Sequence, residues 1–246
     1  MTVRLSTPAR VIVFGASGTL GRAIARALGA RGARLGLTYH CDEAAATALA
    51  AELPGAAVRR LDLTVTADIA RVLDDLGAEL GGVDAFVHAA GIGSTQSPPA
   101  YDRLGQTEEP GWDRLMAVHV RSAFFAAQHL AATMKRGNIV FVGSMNGVKS
   151  APAPVPYATA TGALRAMTTA LAKELGPRDI RVTMVAAGIL EAGLSSLVPA
   201  ELQAEYKKHS ALKRLGRAEE VAELVAWLAA ENTYVTGRTI ALDGGL

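Results

Sequence analysis

Short apolar runs recur along the chain, separated by longer stretches whose apolar residues return at helical spacing. The runs fall at 10–14, 34–39, 57–61, 85–89, 138–142, 180–186 and 239–242. Continuous apolarity, rather than alternation, marks strands buried on both faces, and helical crossovers between them make the sheet parallel. Those crossovers are expected to be right-handed. In one of the intervening stretches Ala160, Ala163, Leu164, Met167, Leu171 and Leu175 share a helical face, and Gly176-Pro177 stops it. No linker, repeat or low-complexity segment interrupts the rhythm, so 1–246 reads as one domain. Two segments break the alternation. Residues 93–110 are rich in Pro, Gly, Ser and Thr and read as a loop. Residues 189–216 follow the sixth strand and hold a short helical pattern from about Pro199. Both leave carboxyl ends of strands, where open parallel sheets bind ligands. The second therefore reads as a substrate lid.

The first strand runs into Gly15-Ala16-Ser17-Gly18-Thr19-Leu20-Gly21 and then a helix start. Glycines let the backbone approach a pyrophosphate, and the helix N-terminus offers it free N–H groups. The alternative is a tight structural turn. Asp62 ends the third strand run, placed either to accept from an adenine amino group or to cap the turn near Thr64. The second strand ends Leu37-Thr38-Tyr39-His40, with no acid to hold a ribose 2′-hydroxyl. That favours NADPH over NADH. Arg22 and His40 are candidate 2′-phosphate contacts or ordinary surface residues.

Composition removes other classes. Half of the 246 residues are hydrophobic, so a sizeable core can be buried, yet no run reaches the roughly 18 residues of a membrane helix. Met1 to Arg10 holds two arginines but no apolar stretch before a cleavage-like site, so a cytoplasmic protein is expected. The formal charge of +2, with both signs interspersed, argues against a nucleic-acid partner. Cys41 is the only cysteine, which excludes an internal disulfide and a thiolate metal site. No metal is expected.

Several further motifs together resemble the short-chain dehydrogenase/reductase family over nearly the whole chain. His88-Ala89-Ala90-Gly91 is similar to the family's Asn-Asn-Ala-Gly element. Gly143-Ser144 and Tyr157, with serine and tyrosine thirteen positions apart, resemble its active-site pair. Arg214 to Val221, Tyr234-Val235-Thr236-Gly237 and Leu242-Asp243-Gly244-Gly245 resemble its carboxyl-terminal signatures. The 3-oxoacyl-carrier-protein reductases are the subgroup most resembled. The likeness implies a Rossmann-type, doubly wound, seven-stranded parallel sheet with helices on both faces. It implies NADP binding by Gly15, Ser17, Gly18, Thr19, Leu20, Gly21, His40, Asp62, Leu63, Ala89, Ala90, Gly91, Gly188 and Ile189. It implies hydride transfer to a ketone, with Tyr157 giving the proton and Ser144 polarising the oxygen.

The resemblance fails at telling places. Thr161 stands where the family has the lysine that holds the nicotinamide ribose and assists the tyrosine. His119 stands where it has an asparagine that supports a water relay. Thr19 takes the second-glycine position, with Gly18 one residue early, and Ala187-Gly188 replaces Pro-Gly. An unassisted tyrosine, with a pKa of about 10, is only about one part in a thousand phenolate at neutral pH. A nearby ammonium favours the phenolate, and Thr161 is neutral and too short to do so. Losing efficient proton transfer costs roughly 10²–10⁴ in rate. A neutral phenol still donates a proton, so reduction is impaired rather than forbidden. Lys149, His119 and Glu191 are the compensating groups to weigh, against readings as a loop charge, a core histidine and a surface acid.

Lys135 and Arg178 match basic positions that the carrier-protein reductases share, which implies an acidic acyl carrier protein as partner. They also read as a solvated lysine and a helix-end arginine. Lys207, Lys208, Lys213 and Arg214 add positive charge near the lid. The helices around 112–134 and 157–175 resemble the family's dimer-forming pair, implying a homotetramer or a hetero-oligomer with a related chain. Three functions are carried forward: an NADPH-dependent reductase of a 3-oxoacyl thioester, a non-catalytic or weakly active subunit of a reductase hetero-oligomer, and a dehydratase or isomerase using His119 or Tyr157.

Overall fold

A computed structural model describes residues 8–93, 105, 107–149, 151 and 153–246. Its centre is a seven-stranded sheet in the order β3-β2-β1-β4-β5-β6-β7, every neighbouring pair parallel. The strands are β1 (Arg10–Phe14), β2 (Arg34–Tyr39), β3 (Ala57–Arg60), β4 (Ala85–His88), β5 (Gly137–Ser144), β6 (Ile180–Ala187) and β7 (Arg238–Leu242). Each apolar run read from the sequence is one of them. The ends shift where polarity misleads. β5 continues through Gly143 and Ser144 because both still pair with β6, at Ala186 and Ala187, although the apolar run has stopped.

Helices cover both faces. Alternate residues of each strand go to opposite cores. Val11, Val13, Val87 and Val140 face one core, with Ile24 and Leu28 of α1 (Thr19–Ala30), Leu49 of α2 (Glu43–Glu52) and Val225 of α8 (Ala218–Ala230). Ile12, Phe14, Phe86 and Phe141 face the other, with Val72 of α3 (Thr66–Leu80), Leu130 of α5 (Ser122–Thr133) and Leu164 of α6 (Val155–Leu175). Phe14 and Phe86 meet edge to face there, with ring centroids 4.8 Å apart. Gly176-Pro177 ends α6 as expected, through one 3₁₀ turn at Gly176–Arg178.

The loop expected at 93–110 lies largely outside the described residues. Its end is corrected: α4 (Glu109–Met116) already contains Glu109 and Pro110. Proline fits the first turn of a helix, where its missing N–H has no partner to lose. A one-turn π-helix, Ala117–Arg121, joins α4 to α5.

Residues 189–216 leave the sheet after β6 and return to α8. They contain a 3₁₀ segment, Gly193–Leu197, and α7 (Ala200–His209), so the helical pattern from Pro199 is present. Their ends are clasped: Gly216 N–H donates to Ile189 and Glu191 N–H donates to Gly216.

The Tyr234 to Gly237 motif splices β7 onto the sheet through buried asparagines. Asn232 accepts from the N–H groups of Tyr234 and Val235 and donates to the Val235 carbonyl at 2.7 Å. Asn138, on β5, donates to the Ala229 carbonyl at the end of α8. Replacing Asn232 leaves the part-buried backbone groups of Tyr234 and Val235 without their side-chain partner. Asn232→Ala is expected to lower stability by about 2–3 kcal/mol, roughly 5–10 °C in melting temperature, measured by denaturant titration and a thermal scan.

Candidate active site

The strand order reverses between β1 and β4, so the chain leaves these neighbours in opposite directions and opens a crevice at their carboxyl ends. Two cavities fill it, of about 390 Å³ and 760 Å³. They share Gly18, Ala89, Ala90 and Gly91 in their walls. Every catalytic and cofactor-binding residue that the family resemblance implies lines one or the other.

The glycine turn divides the two. Gly15 has φ +79°, and a Cβ there would sit 2.6 Å from the Ala90 backbone. Gly21 is closer still to the turn, since its Cβ would meet the Gly15 carbonyl at 2.1 Å. Gly18 caps α1 with no side chain over the helix end. The uncovered N–H groups and the helix dipole suit an anion. Thr19 is the first helical residue, a position any side chain tolerates, so the second-glycine change leaves the turn intact.

The larger cavity is lined by Gly15, Ser17, His40, Asp62 and Leu63. Asp62 serves the turn it was read as capping: Oδ1 accepts from Thr64 N–H at 2.9 Å and from Thr64 Oγ1 at 2.7 Å. Those bonds, the hydroxyl's first, hold its carboxyl below the ordinary range against the cost of burial, and His40 adds to the effect. Its other oxygen lies 3.5 Å from His40 Nε2. Arg22 lines neither cavity.

The smaller cavity brings together Ser144, Tyr157, His119 and Thr161 with Thr19 to Gly21, Gly188 and Ile189. No lysine or arginine is among the described residues that line it. Thr161 is fully buried, and its hydroxyl donates to carbonyls of its own helix, Tyr157 at 3.0 Å and Ala158 at 3.2 Å. Ser144 donates to Asn146 Oδ1 at 2.8 Å and accepts from Asn146 N–H at 3.3 Å. Asn146 was not singled out by sequence, although a residue two after a serine is where a capped N–H sits. Close packing fixes this loop: a Cβ on Gly147 would lie 2.5 Å from the Thr161 backbone.

His119 sits in the π-helical turn, a distortion often found at functional sites. Its ring is edge-on to Tyr157, with centroids 5.6 Å apart. Nε2 lies 2.9 Å from the Ile92 carbonyl oxygen and 3.0 Å from the Ile92 nitrogen, so Ile92 partners either tautomer. His88 ends β4. Ser122 donates to the Val118 carbonyl, so the 2.7 Å contact between His88 Nε2 and Ser122 Oγ has His88 donating. Burial pushes His88 down to about 3, with His119 adding to the effect, and burial lowers His119 too, against the Ile92 hydrogen bond.

The other weighed groups stand apart. Lys149 lies 2.5 Å from Asp243 Oδ2 and also donates to the Leu246 carbonyl. Glu191 is exposed and lines neither cavity. Lys135 is exposed, and Arg178 donates to the Met134 carbonyl at 2.9 Å. Both stand where β5 and β6 begin, whereas the cavity lies where those strands end. Seven residues of strand separate the edges by roughly 20 Å.

These features place the chain in a known class. It belongs to the short-chain dehydrogenase/reductase family, whose members are oxidoreductases. A family model described as enoyl-(acyl carrier protein) reductase matches residues 15–246. The 3-oxoacyl-[acyl-carrier-protein] reductase FabG of Escherichia coli (strain K12) is 33% identical over 241 residues, 96% of each chain. A Granaticin polyketide synthase putative ketoacyl reductase 2 of Streptomyces violaceoruber is 32% identical, over 95% of this chain and 94% of that one. A solved short chain dehydrogenase from Burkholderia cenocepacia J2315 in complex with NADP has TM-score 0.87 at 29% identity, covering 96% of this chain and 97% of that one. A blue fluorescent protein from a metagenomic library in complex with NADPH has TM-score 0.88 at 31% identity, covering 97% and 98%.

The buried histidines set a pH dependence. Their folded pKa values lie below the unfolded value of about 6.5, so the unfolded chain binds more protons as pH falls. The His88 contribution is complete above about pH 6.5 and is lost toward pH 3, at up to about 1.4 kcal/mol per pH unit, and that of His119 is lost in the same direction as pH falls through its lowered pKa. Denaturant titrations at pH 7 and pH 5 are expected to show lower stability at pH 5, and NMR is expected to show the His88 ring neutral from pH 6 to 8.

Proposed function

We propose that the protein is an NADPH-dependent reductase of a ketone, with a 3-oxoacyl thioester as the substrate class. The observation that carries it is the placing of Ser144 and Tyr157 in one cavity with the glycine turn and Gly188. The crevice suits a dinucleotide: two cavities meet at an uncovered helix N-terminus, which fits a pyrophosphate between them. NADP rather than NAD is favoured by His40 at the tip of β2, where no acid stands, and by the NADPH and NADP named with two neighbours. When bound, the cofactor supplies the hydride. Tyr157 gives its phenolic proton to the carbonyl oxygen, and hydride plus proton makes the alcohol. Ser144 polarises that oxygen once its hydroxyl turns from Asn146. His119 stands in for the family's asparagine, with Nε2 held by Ile92 and Nδ1 left for a water of the cleft. Thr161 brings no charge to the phenol, so proton transfer is slow by the family's standard.

Residues 189–216 serve as the substrate lid. The positions of Leu194 and Leu197 support this: both line the cavity, and a Cβ on Gly93 would lie 3.0 Å from Leu197. With Met145 and Val198 they offer an apolar wall to an acyl chain. The relatives' names support carrier-bound substrates. Lys135 and Arg178 add little within one chain, because they stand at the opposite ends of β5 and β6 from the cavity. The exposed pair Phe124 and Phe125 on α5 supports an oligomeric interface. The cavity's lack of a lysine favours one second reading, a weakly active subunit beside a related chain.

NADPH consumption with a short 3-oxoacyl thioester tests the proposal, with the natural protein, Thr161→Lys and Tyr157→Phe side by side. The natural protein is expected to turn over about 10²–10⁴-fold more slowly than Thr161→Lys, and Tyr157→Phe to lose activity. Turnover by Thr161→Lys alone supports the subunit reading. No turnover by either, across a thioester panel, sinks the reductase.

A further inference from the structure

Lys149 follows the short 3₁₀ turn Met145–Gly147, on the loop that begins with Ser144 and Asn146. Its ammonium does not reach Tyr157's cavity. It crosses to Asp243, just beyond β7, which is 7% exposed. Asp243 in turn holds the 189–216 segment. Its backbone carbonyl accepts from the Tyr206 hydroxyl of α7 at 2.6 Å, and Tyr206 is buried. Leu212 N–H donates to Gly244, and Ala211 N–H donates to Gly245. Gly188 lies beneath this junction. A Cβ there would meet the Tyr206 hydroxyl at 2.1 Å and the Asp243 Cα at 2.9 Å.

Three parts of the cleft therefore converge on Asp243: the Ser144 loop through Lys149, α7 through Tyr206, and the Gly188 wall by contact. An ion pair with one buried partner is costly to break, because the remaining charge is left uncompensated. We propose that Lys149 is a positioning residue: through Asp243 it couples the Ser144 loop to the 189–216 segment, so that the cover of the cleft and the reaction loop are seated together. Its function for the reaction rests on the reductase reading. The coupling itself does not.

Hydrogen exchange of the protein without added ligand tests the coupling, comparing the natural chain with Lys149→Met, Lys149→Arg, Asp243→Asn and the double variant Lys149→Met/Asp243→Asn. In Lys149→Met, amides of 200–212 are expected to exchange about tenfold faster, although the polar partners of Lys149, Asp243 and Leu246, lie outside that segment, while amides of β1 and β4 keep their rates. Lys149→Arg should restore much of the protection. The double variant should exchange no faster than the faster single variant, because one interaction is lost in all three. Should the Lys149 variants fail to fold, Tyr206→Phe removes only the hydroxyl on the other side of Asp243 and should speed exchange at 145–149. Unchanged exchange at 200–212 in Lys149→Met, or effects that add in the double variant, would overturn the coupling, as would unchanged exchange at 145–149 in Tyr206→Phe. NADPH titration separates the two readings: about tenfold weaker binding in Lys149→Met is expected if the junction serves the cofactor cleft. Faster exchange without any NADPH binding by the natural chain leaves the coupling standing and removes the reductase.

Discussion

The whole site depends on one close approach, between Gly15 at the end of β1 and the Ala90 backbone beyond β4. The strands are hydrogen-bonded neighbours, and their following segments diverge to opposite faces of the sheet. At the point of divergence the turn passes so near Ala90 that no side chain fits. That contact sets the depth of the crevice, points the amino end of α1 into it, and makes Ala89 to Gly91 a wall common to both cavities. The remaining residues decorate this frame. Ser144 and Gly188 arrive at the same end because β5 and β6 run parallel to β1 and β4.

Electrostatically the frame is sparse on its reactive side. The smaller cavity is lined by a phenol, an imidazole whose burial disfavours its charged form, hydroxyls and an amide. In that setting hydrogen bonding, rather than fixed charge, is what the cavity offers a bound polar group. The Ser144–Asn146 pair shows how: the amide decides where the serine proton points. Lys149, the one cation between Ser144 and Tyr157 in the sequence, is held by Asp243 instead. The departure at Thr161 is thus not made good by a neighbouring lysine in the described structure.

The inner strands were legible because burial on both faces makes them continuous apolar runs; the edge strands β3, which holds Arg59 and Arg60, and β7, which has no fully buried residue, were read from the rhythm of the runs between them. The glycine turn was legible because backbone proximity demands particular residues. Less local features were not. The extension of β5 through Ser144 depends on pairing with β6, which no local pattern reports. The start of α4 was missed because Pro110 and its neighbours resemble a loop while also suiting a helical first turn. The π-helical turn around His119 has no composition of its own. Asn146, Tyr206 and the Lys149–Asp243 pair are contacts between segments far apart or differently oriented, invisible to spacing. Asp62 left two readings open, and its turn bonds to Thr64 are the ones the structure makes.

The strand order also dictates an order of assembly. After β3, each new strand in the chain docks on an edge already formed: β4 beside β1, then β5, β6 and β7 in turn. The 189–216 segment is made before β7, yet its seat, Asp243 to Gly245, comes after β7. During synthesis that segment therefore has only its own clasp between Ile189 and Gly216 until the last strand and its seat have been made. The crevice is roofed last, after its floor and walls are complete, which makes closure of the site a report that the whole sheet has formed.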